Sequence, residues 1–441
     1  MATTKVTPTD FEKEEKQIRA EIEKKHGKTP EQLFVEREKR ITDAVELREP
    51  DRVPVTLGEG VFAARYAGLP VSVMYYDLAA YRRACRKMVL DFEPDLAQGG
   101  VAGVSGTTLG LLETKHQLWP GGSLPENVPY QFIEGEYMKP EEYDVLLNDP
   151  TDFTLRYFLP RLYPVLAPIS KLAPIRAFSG GGLTGIVHNF ASPEFKELGK
   201  VLAKAGAEQQ KVREIVQGAA DEINRLGFPT TPLGGGVGGS AFDVIADNLR
   251  GMRGAMLDMY RCPDKLLAAC DKILQIRLAE AQPPDKKKMG KLRMVGRPLH
   301  KGAEGFMSVK QFERFYWPTL KTAVLRDIEL GYTPRLGWQG KLDSRLEYFL
   351  DLPKGKAVCW FQDTDMKRAK EVLRNHVCIS GNVPLSMLCC GTPQDVDAYC
   401  KDLIKVCGKG GGFILATGGG PDDAKPANMM AMVEAARKYR L

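Results

Sequence analysis

Three side chains able to move a proton follow apolar segments that predict strands. Asp363 comes directly after the apolar run 357–361, and His300 and Glu304 lie together in one loop after another such run. Carboxylic acids and imidazoles are common general acids and bases, so we predict that these three groups are catalytic. Loop structure or helix capping is the alternative role for each. Asp365 fits the cap of the following helix better, which leaves Asp363 as the stronger catalytic candidate.

Further polar and aromatic side chains lie close to predicted strand ends and are candidates for substrate binding. For the aromatic residue at position 316, packing of its helix against the sheet is the alternative. These candidates are Glu59, His188, Asp243, Tyr316, Trp338, Gln339 and Asn382. The glycine-rich run 234–239 lacks the Lys-Ser/Thr pair of a phosphate-binding loop, so we predict a loop that allows close backbone approach.

The elements that must position these side chains alternate between strand and helix. Each predicted strand ends at a turn and leads into a helical segment, as in Gly381-Asn-Val-Pro384, which precedes a helix with Thr392 as N-cap and Pro393 in its first turn. Such alternation predicts a parallel α/β architecture. The strands are predicted at 294–297, 334–338, 357–361, 377–381 and 413–417.

The remaining segments divide the chain into an arm and a main domain. Residues 1–48 predict a helical arm, with one helix over 11–26 and a second that starts at Thr29-Pro30. The main domain, 49–441, opens with the strand Val53-Pro-Val55 and contains a Pro-rich and aromatic insertion near 113–178. A single long helix is predicted over 195–226, ending at Gly227.

Composition excludes several classes of protein. The 441 residues are 43% hydrophobic, enough for a large core, and 62 basic against 56 acidic residues leave a net charge of only +6. No aromatic-interleaved basic motif accompanies that charge, so we predict no nucleic-acid binding. No apolar run approaches the roughly 18 residues of a membrane helix. The nine cysteines form no CxxC pair, which is typical of reduced thiols and predicts a cytoplasmic protein.

Two passages resemble the uroporphyrinogen decarboxylase superfamily. The first is Arg37-x-x-Arg40-Ile41, followed by Pro50-Asp-Arg-Val-Pro-Val55, and it is similar to the entry into the barrel of that group. The second is Gly381-Asn-Val-Pro384 with Thr392-Pro393 after it. The resemblance implies a (β/α)8 TIM barrel, in which the loops at the carboxyl ends of the strands carry the chemistry.

The residues of two known branches are missing. The arginine-rich run that holds tetrapyrrole carboxylates in the decarboxylases corresponds here to residues 58–68, where Glu59 would repel such a substrate. The zinc ligands of the thiol-methylating branch align with Gly337, Gln339 and the run 418–420, which offer no such ligand set. The comparison therefore predicts neither porphyrinogen decarboxylation nor a zinc site.

The remaining part of the superfamily implies a corrinoid-dependent methyltransferase. Its cofactor would be cobalamin carried by a corrinoid-binding partner protein, and its substrate a small-molecule methyl donor such as a methyl ether or methylamine. A homodimer is left open. Two alternatives also stay open: a decarboxylase or lyase that acts on a non-tetrapyrrole acid, and a non-catalytic binding barrel.

Overall fold

A computed structural model describes residues 8–97, 103–174, 184–231 and 235–440 of the chain. The apolar segment 175–178, which the sequence suggests as a strand, and Gly234 of the glycine-rich run lie outside these ranges. Among the described residues, no helix is both long and apolar enough to cross a membrane.

A parallel sheet confirms the predicted strands. Five strands pair with their neighbours in chain order, so the sheet has the order β5-β6-β7-β8-β9. Helical segments separate them, as parallel pairing requires. These strands are β5 (Met294–Leu299), β6 (Thr333–Trp338), β7 (Val358–Phe361), β8 (Cys378–Val383) and β9 (Phe413–Thr417), and the shorter strands earlier in the chain are β1 (Thr56–Leu57), β2 (Leu96–Ala97), β3 (Gln117–Leu118) and β4 (Gln131–Phe132).

Short parallel pairings extend this sheet beyond β9. Val55 pairs with Leu415, and β1 pairs in parallel with β2. Ala97 then pairs with Thr230. At the other end of this arc of strands, the Thr231 hydroxyl lies 3.7 Å from the sulfur of Met294, the first residue of β5. The chain thus has an α/β fold built on parallel strands.

Helices pack around the strands. Two of the later helices begin where the sequence predicts: Thr392 caps the helix Pro393–Leu403 through a reciprocal capping box, and Asp365 caps the helix Met366–Leu373. In the described ranges, the α-helices of six or more residues are α1 (Pro8–His26), α2 (Pro30–Val45), α3 (Gly60–Tyr66), α4 (Leu78–Phe92), α5 (Gly106–Leu111), α6 (Tyr143–Asn148), α7 (Pro193–Val216), α8 (Ala219–Arg225), α9 (Gly251–Arg261), α10 (Pro263–Glu280), α11 (Trp317–Leu330), α12 (Met366–Leu373), α13 (Leu385–Cys390), α14 (Pro393–Leu403) and α15 (Pro426–Lys438).

The single long helix predicted over 195–226 is wrong. Two helices, α7 and α8, occupy the segment, and Gly218 separates them with φ of +79°. Glycine adopts this left-handed conformation without the steric penalty that a side chain would bring. The chain can therefore turn within a run whose composition otherwise favours one continuous helix.

The second helix of the N-terminal segment covers the amino ends of the strands. Ile41, Ala44 and Val45 on α2 pack in one buried cluster with residues of the sheet. The sheet residues of this cluster are Leu96, Met294, Val358, Cys378 and Ile414. Because these residues stand at or near the starts of their strands, α2 closes that edge of the sheet.

Buried ion pairs connect α2 to the residues that lead into the sheet. The Asp95 side chain is fully buried and accepts hydrogen bonds from Arg40 at 2.6 Å and from Arg52 at 2.7 and 2.8 Å. It also accepts one from the Val55 backbone at 2.9 Å. Helix α2 and the entry strand thus share one carboxylate.

Candidate active site

A cavity of about 410 Å³ opens at the carboxyl edge of the sheet, the edge opposite α2. Strands β5, β6, β7 and β9 contribute to its wall, and the loops after β1 and β9 contribute to its rim. Its volume is within the range of small-molecule sites. The described residues that line it are Thr56, Gly58, Gly60, Tyr130, Gly296, Arg297, Pro298, Arg335, Gly337, Gln339, Trp360, Ala416, Thr417, Gly419, Gly420, Pro421 and Asp422.

Alternate residues of β6 face this cavity. Arg335, Gly337 and Gln339 line it, whereas Leu336 and Trp338 between them are fully buried away from it. Successive side chains of a strand point to opposite faces, which explains the division. Gln339, a predicted substrate-binding residue, thus lies on the wall of the cavity. Arg335 was missed, although it shares the parity of Gln339 along the strand.

One carboxyl group lines the rim of the cavity. Asp422 follows β9 and is partly buried. Burial raises the pKa of this carboxyl above its ordinary value, and the charge of Arg65 opposes the rise only in part. A carboxyl group in such a setting can remain protonated at higher pH than a surface aspartate and can act as an acid.

The positions that align with the family's zinc ligands meet at this cavity. Gly337, Gln339, Gly419 and Gly420 all line it, although they come from different strands and loops. In the part of the chain that the structure describes, no three His, Cys, Asp or Glu side chains are grouped so that they could hold a metal. That the protein holds no stoichiometric zinc stays a prediction, which elemental analysis tests.

A second concavity, an open groove of about 830 Å³, adjoins the ends of β7 and β8. Asp363 and Asn382 line this groove rather than the cavity. Asn382 donates to the Thr364 carbonyl at 2.8 Å, which fixes its side chain. Asp365 accepts from the Lys367 and Arg368 backbones, the capping role that the sequence predicts for it.

His300 forms a pair with a carboxylate that the sequence did not indicate. Its Nδ1 lies 2.6 Å from Asp247, which stands on a π-helical turn, Val244–Leu249. The hydrogen bond with Asp247 raises the pKa of His300, although burial opposes the rise. Its Nε2 makes no hydrogen bond to any described residue, and the side chain is 35% exposed. This nitrogen is available to a bound molecule.

Glu304 has a structural contact. Its carboxylate accepts from the Ser344 backbone at 2.6 Å, and its own backbone N–H donates to the Lys341 carbonyl at 3.0 Å. These bonds join the loop after β5 to the loop after β6. The three predicted catalytic residues thus lie at the carboxyl edge with three different sets of partners: Asp363 in the groove, His300 on Asp247, and Glu304 on the neighbouring loop.

The expected substrate contacts of Trp338 and Tyr316 are not found in the cavity. Both side chains are fully buried, with ring centroids 6.0 Å apart, in an aromatic cluster beneath the helices. Asp243 is also buried and accepts from the Tyr316 hydroxyl at 2.6 Å and from the His300 backbone at 3.0 Å. Burying a carboxylate without hydrogen-bond donors costs free energy. The bonds that Asp243 accepts from the loop after β5 therefore hold that loop in place.

Glu59 and His188 are also placed away from the cavity. Glu59 is 1% exposed, so its side chain is enclosed by the fold. Burial raises the pKa of Tyr81 and Cys85 on α4, and the charge of Glu59 adds to that rise. The glycines on either side of it line the cavity instead. His188 is an exposed residue at the start of a short 3-10 turn, His188–Ala191.

Comparison with known proteins assigns the class. The model of the uroporphyrinogen decarboxylase (URO-D) family matches residues 186–439, more than half of the chain. The chain therefore belongs to the uroporphyrinogen decarboxylase family, as its two motifs suggest. No curated protein matches it significantly.

A solved structure resembles the chain over nearly its whole length. It is described as a methyltransferase from Methanosarcina mazei, with a TM-score of 0.52 and 16% sequence identity. The match covers 91% of this chain and 98% of that chain. At this identity the likeness concerns the fold.

Proposed function

We propose that this protein is a methyltransferase that takes a methyl group from a small molecule bound in the cavity and passes it to a corrinoid carried by a partner protein. The cavity at the carboxyl edge carries the proposal, because Gly337, Gln339, Gly419 and Gly420 line it, and the resemblance aligns this part of the chain with the zinc site of the methyl-transferring branch. Membership of the family and the fold shared with a methyltransferase support it. The arc of parallel strands is proposed to be a closed (β/α)8 barrel.

Asp422 supplies the proton in this proposal. Removal of a methyl group from an ether or amine leaves charge on oxygen or nitrogen, and an acid beside that atom lowers the barrier. Asp422 lines the cavity, and burial raises its pKa, so a larger fraction of it is protonated. His300 and Asp363 are the second and third candidates, and Glu304, tied to a loop backbone, is the fourth.

The rim of the cavity fits the approach of a flat macrocycle. Six of the described lining residues are glycines, and four of them belong to the loops after β1 and β9. Glycine leaves the backbone uncovered, so a large planar group can come close to the mouth. A reduced corrinoid, when bound, supplies the nucleophile that accepts the methyl group. The chain's own part is to hold the donor, exclude water and deliver the proton.

A decarboxylase of a small organic acid is the second candidate. The guanidinium of Arg335 in the cavity favours it, because a cation in this position would hold the acidic substrate that decarboxylation requires. The two functions differ in the product that is released.

The test is incubation of the purified protein with a reduced corrinoid protein and a panel of methoxylated and methylamine compounds. Methyl transfer is expected to remove the cobalt(I) absorbance with one or more donors. The same mixtures, analysed for carbon dioxide, report decarboxylation. Carbon dioxide release without loss of cobalt(I) would replace the methyltransferase with the decarboxylase, and neither product from any donor would contradict both.

A further inference from the structure

Arg335 differs from the other arginines enclosed by this fold. It projects from β6 into the cavity, partly buried, and no oxygen of a described residue accepts a hydrogen bond from its guanidinium. Burial lowers its pKa to about 10, which still leaves it charged at neutral pH. A guanidinium has five N–H donors, and those of Arg335 face the cavity, where a bound molecule can accept from them.

Two more deeply buried arginines donate to acceptors within the protein. Arg297, on the neighbouring strand β5, pairs with Asp327 at 2.6 Å. Arg345 donates to the carbonyls of Gly302 and Met307. Among the described residues, Arg335 has no such acceptor, so its donors are open to a molecule bound in the cavity.

The surroundings of Arg335 hold its guanidinium in place. Its Cζ lies 5.2 Å from the ring centroid of Trp360, a distance at which a cation is attracted to an aromatic face. The indole N–H of Trp360 donates in turn to the Thr417 carbonyl at 2.9 Å. A Cβ at Gly337 would stand 3.2 Å from the Trp360 ring, so the glycine leaves room for the indole.

We infer that Arg335 is a binding site for the carboxylate of the substrate, so the molecule taken up in the cavity is a small organic acid. The planar fork of a guanidinium matches a carboxylate with two parallel hydrogen bonds, and its face remains free to rest on Trp360. The reaction that the bound acid undergoes rests on the proposed function, whereas the binding of its carboxylate by Arg335 does not. In methyl transfer, the acid would be a methyl ether or methylamine that also carries a carboxylate.

The direction of the bound acid follows from the strand. Arg335 lies four residues before Gln339 along β6, at about 3.3 Å per residue, so its backbone is well below the carboxyl edge. A carboxylate held there places the other end of the molecule toward the rim, where Asp422 lies. The methyl group is then presented at the mouth, on the side open to a partner protein.

The experiment measures binding without any corrinoid. Acetate, benzoate and 4-methoxybenzoate are titrated against the full chain by calorimetry, with 4-methoxybenzamide as the uncharged analogue and inorganic phosphate as a second oxyanion. Carboxylates are expected to bind, and Arg335→Met to weaken them about 10- to 100-fold, as loss of charge-assisted hydrogen bonds does. Arg335→Lys should retain part of the affinity, because it keeps the charge but not the fork.

Controls separate this result from a general effect of charge. Arg326→Met removes an exposed arginine that pairs with Glu329, and it should leave the affinities unchanged. Thermal unfolding of Arg335→Met should match or exceed that of the wild type, which excludes misfolding. Equal affinities of wild type and Arg335→Met, equal binding of acid and amide, or preference for phosphate would each overturn the inference. Carboxylate binding without cobalt(I) loss would leave it standing and count against the methyltransferase.

Discussion

Replacement of Asp95 by Asn is expected to destabilise the protein strongly. The carboxylate is fully buried and neutralises two arginines whose side chains are only 12% and 14% exposed. Asparagine keeps the shape but removes the charge, which leaves Arg40 and Arg52 without their buried partner. Breaking a buried ion pair from one side costs about 3–5 kcal/mol.

Asp51→Asn provides a matched control. Asp51 pairs with the same Arg40 at 2.6 Å, but its side chain is 60% exposed. Exposed ion pairs contribute about 0–1 kcal/mol, because water and salt screen them. The two variants thus remove an acid of the same type from the same arginine and differ in burial.

Differential scanning calorimetry distinguishes the two. The unfolding entropy is about 2 cal/mol/K per residue. For a protein of 441 residues, each kcal/mol lost from the free energy of unfolding therefore lowers Tm by about 1 °C. Asp95→Asn is therefore expected to lower Tm by about 3–5 °C and Asp51→Asn by about 1 °C or less. Equal shifts for both variants, or a Tm of Asp95→Asn within about 1 °C of wild type, would refute the reasoning from burial.

Three further predictions follow from the site. Asp422→Asn is expected to lower methyl-transfer turnover by about 10²–10⁴ with folding unchanged. Asp363→Asn is expected to lower turnover less. A larger loss of turnover for Asp363→Asn would indicate that the catalytic acid lies in the groove. The hydrogen bond with Asp247 raises the pKa of His300, so its stabilisation is complete below the ordinary histidine pKa and is lost as pH rises through the folded value. The Tm gap between wild type and Asp247→Asn, measured at pH 6 and pH 9, should therefore be larger at pH 6, and a constant gap contradicts the pairing. Elemental analysis should find no stoichiometric zinc, and about one zinc per chain would overturn that expectation.

The sequence predicts the five main strands well because each is a short segment in regular alternation with helical segments. It predicts the faces of those strands poorly. Both sides of a strand in a helix-covered parallel sheet are buried, so hydrophobicity does not tell which parity faces the cavity. The sequence therefore predicts both Gln339 and Trp338 as substrate-binding residues, although they are neighbours on opposite faces, and it does not indicate Arg335.

Partners distant in sequence account for the rest. Arg40 and Arg52 belong to one of the two passages that resemble the family, but their common partner Asp95 lies 55 and 43 residues further along the chain. Asp247 lies 53 residues before His300. Local patterns identify polar residues near strand ends, and only the folded chain decides which of them meet.

The cover that α2 forms over the amino ends of the strands has a kinetic consequence. A cavity closed at that edge has its entrance at the carboxyl edge, where a corrinoid protein would also dock. In the proposed reaction, substrate and partner protein then use the same entrance. Because a docked partner blocks that entrance, the small molecule must bind before the partner, and its demethylated product must leave after the partner. Steady-state kinetics would show a compulsory order, with excess partner protein inhibiting turnover by trapping the empty enzyme.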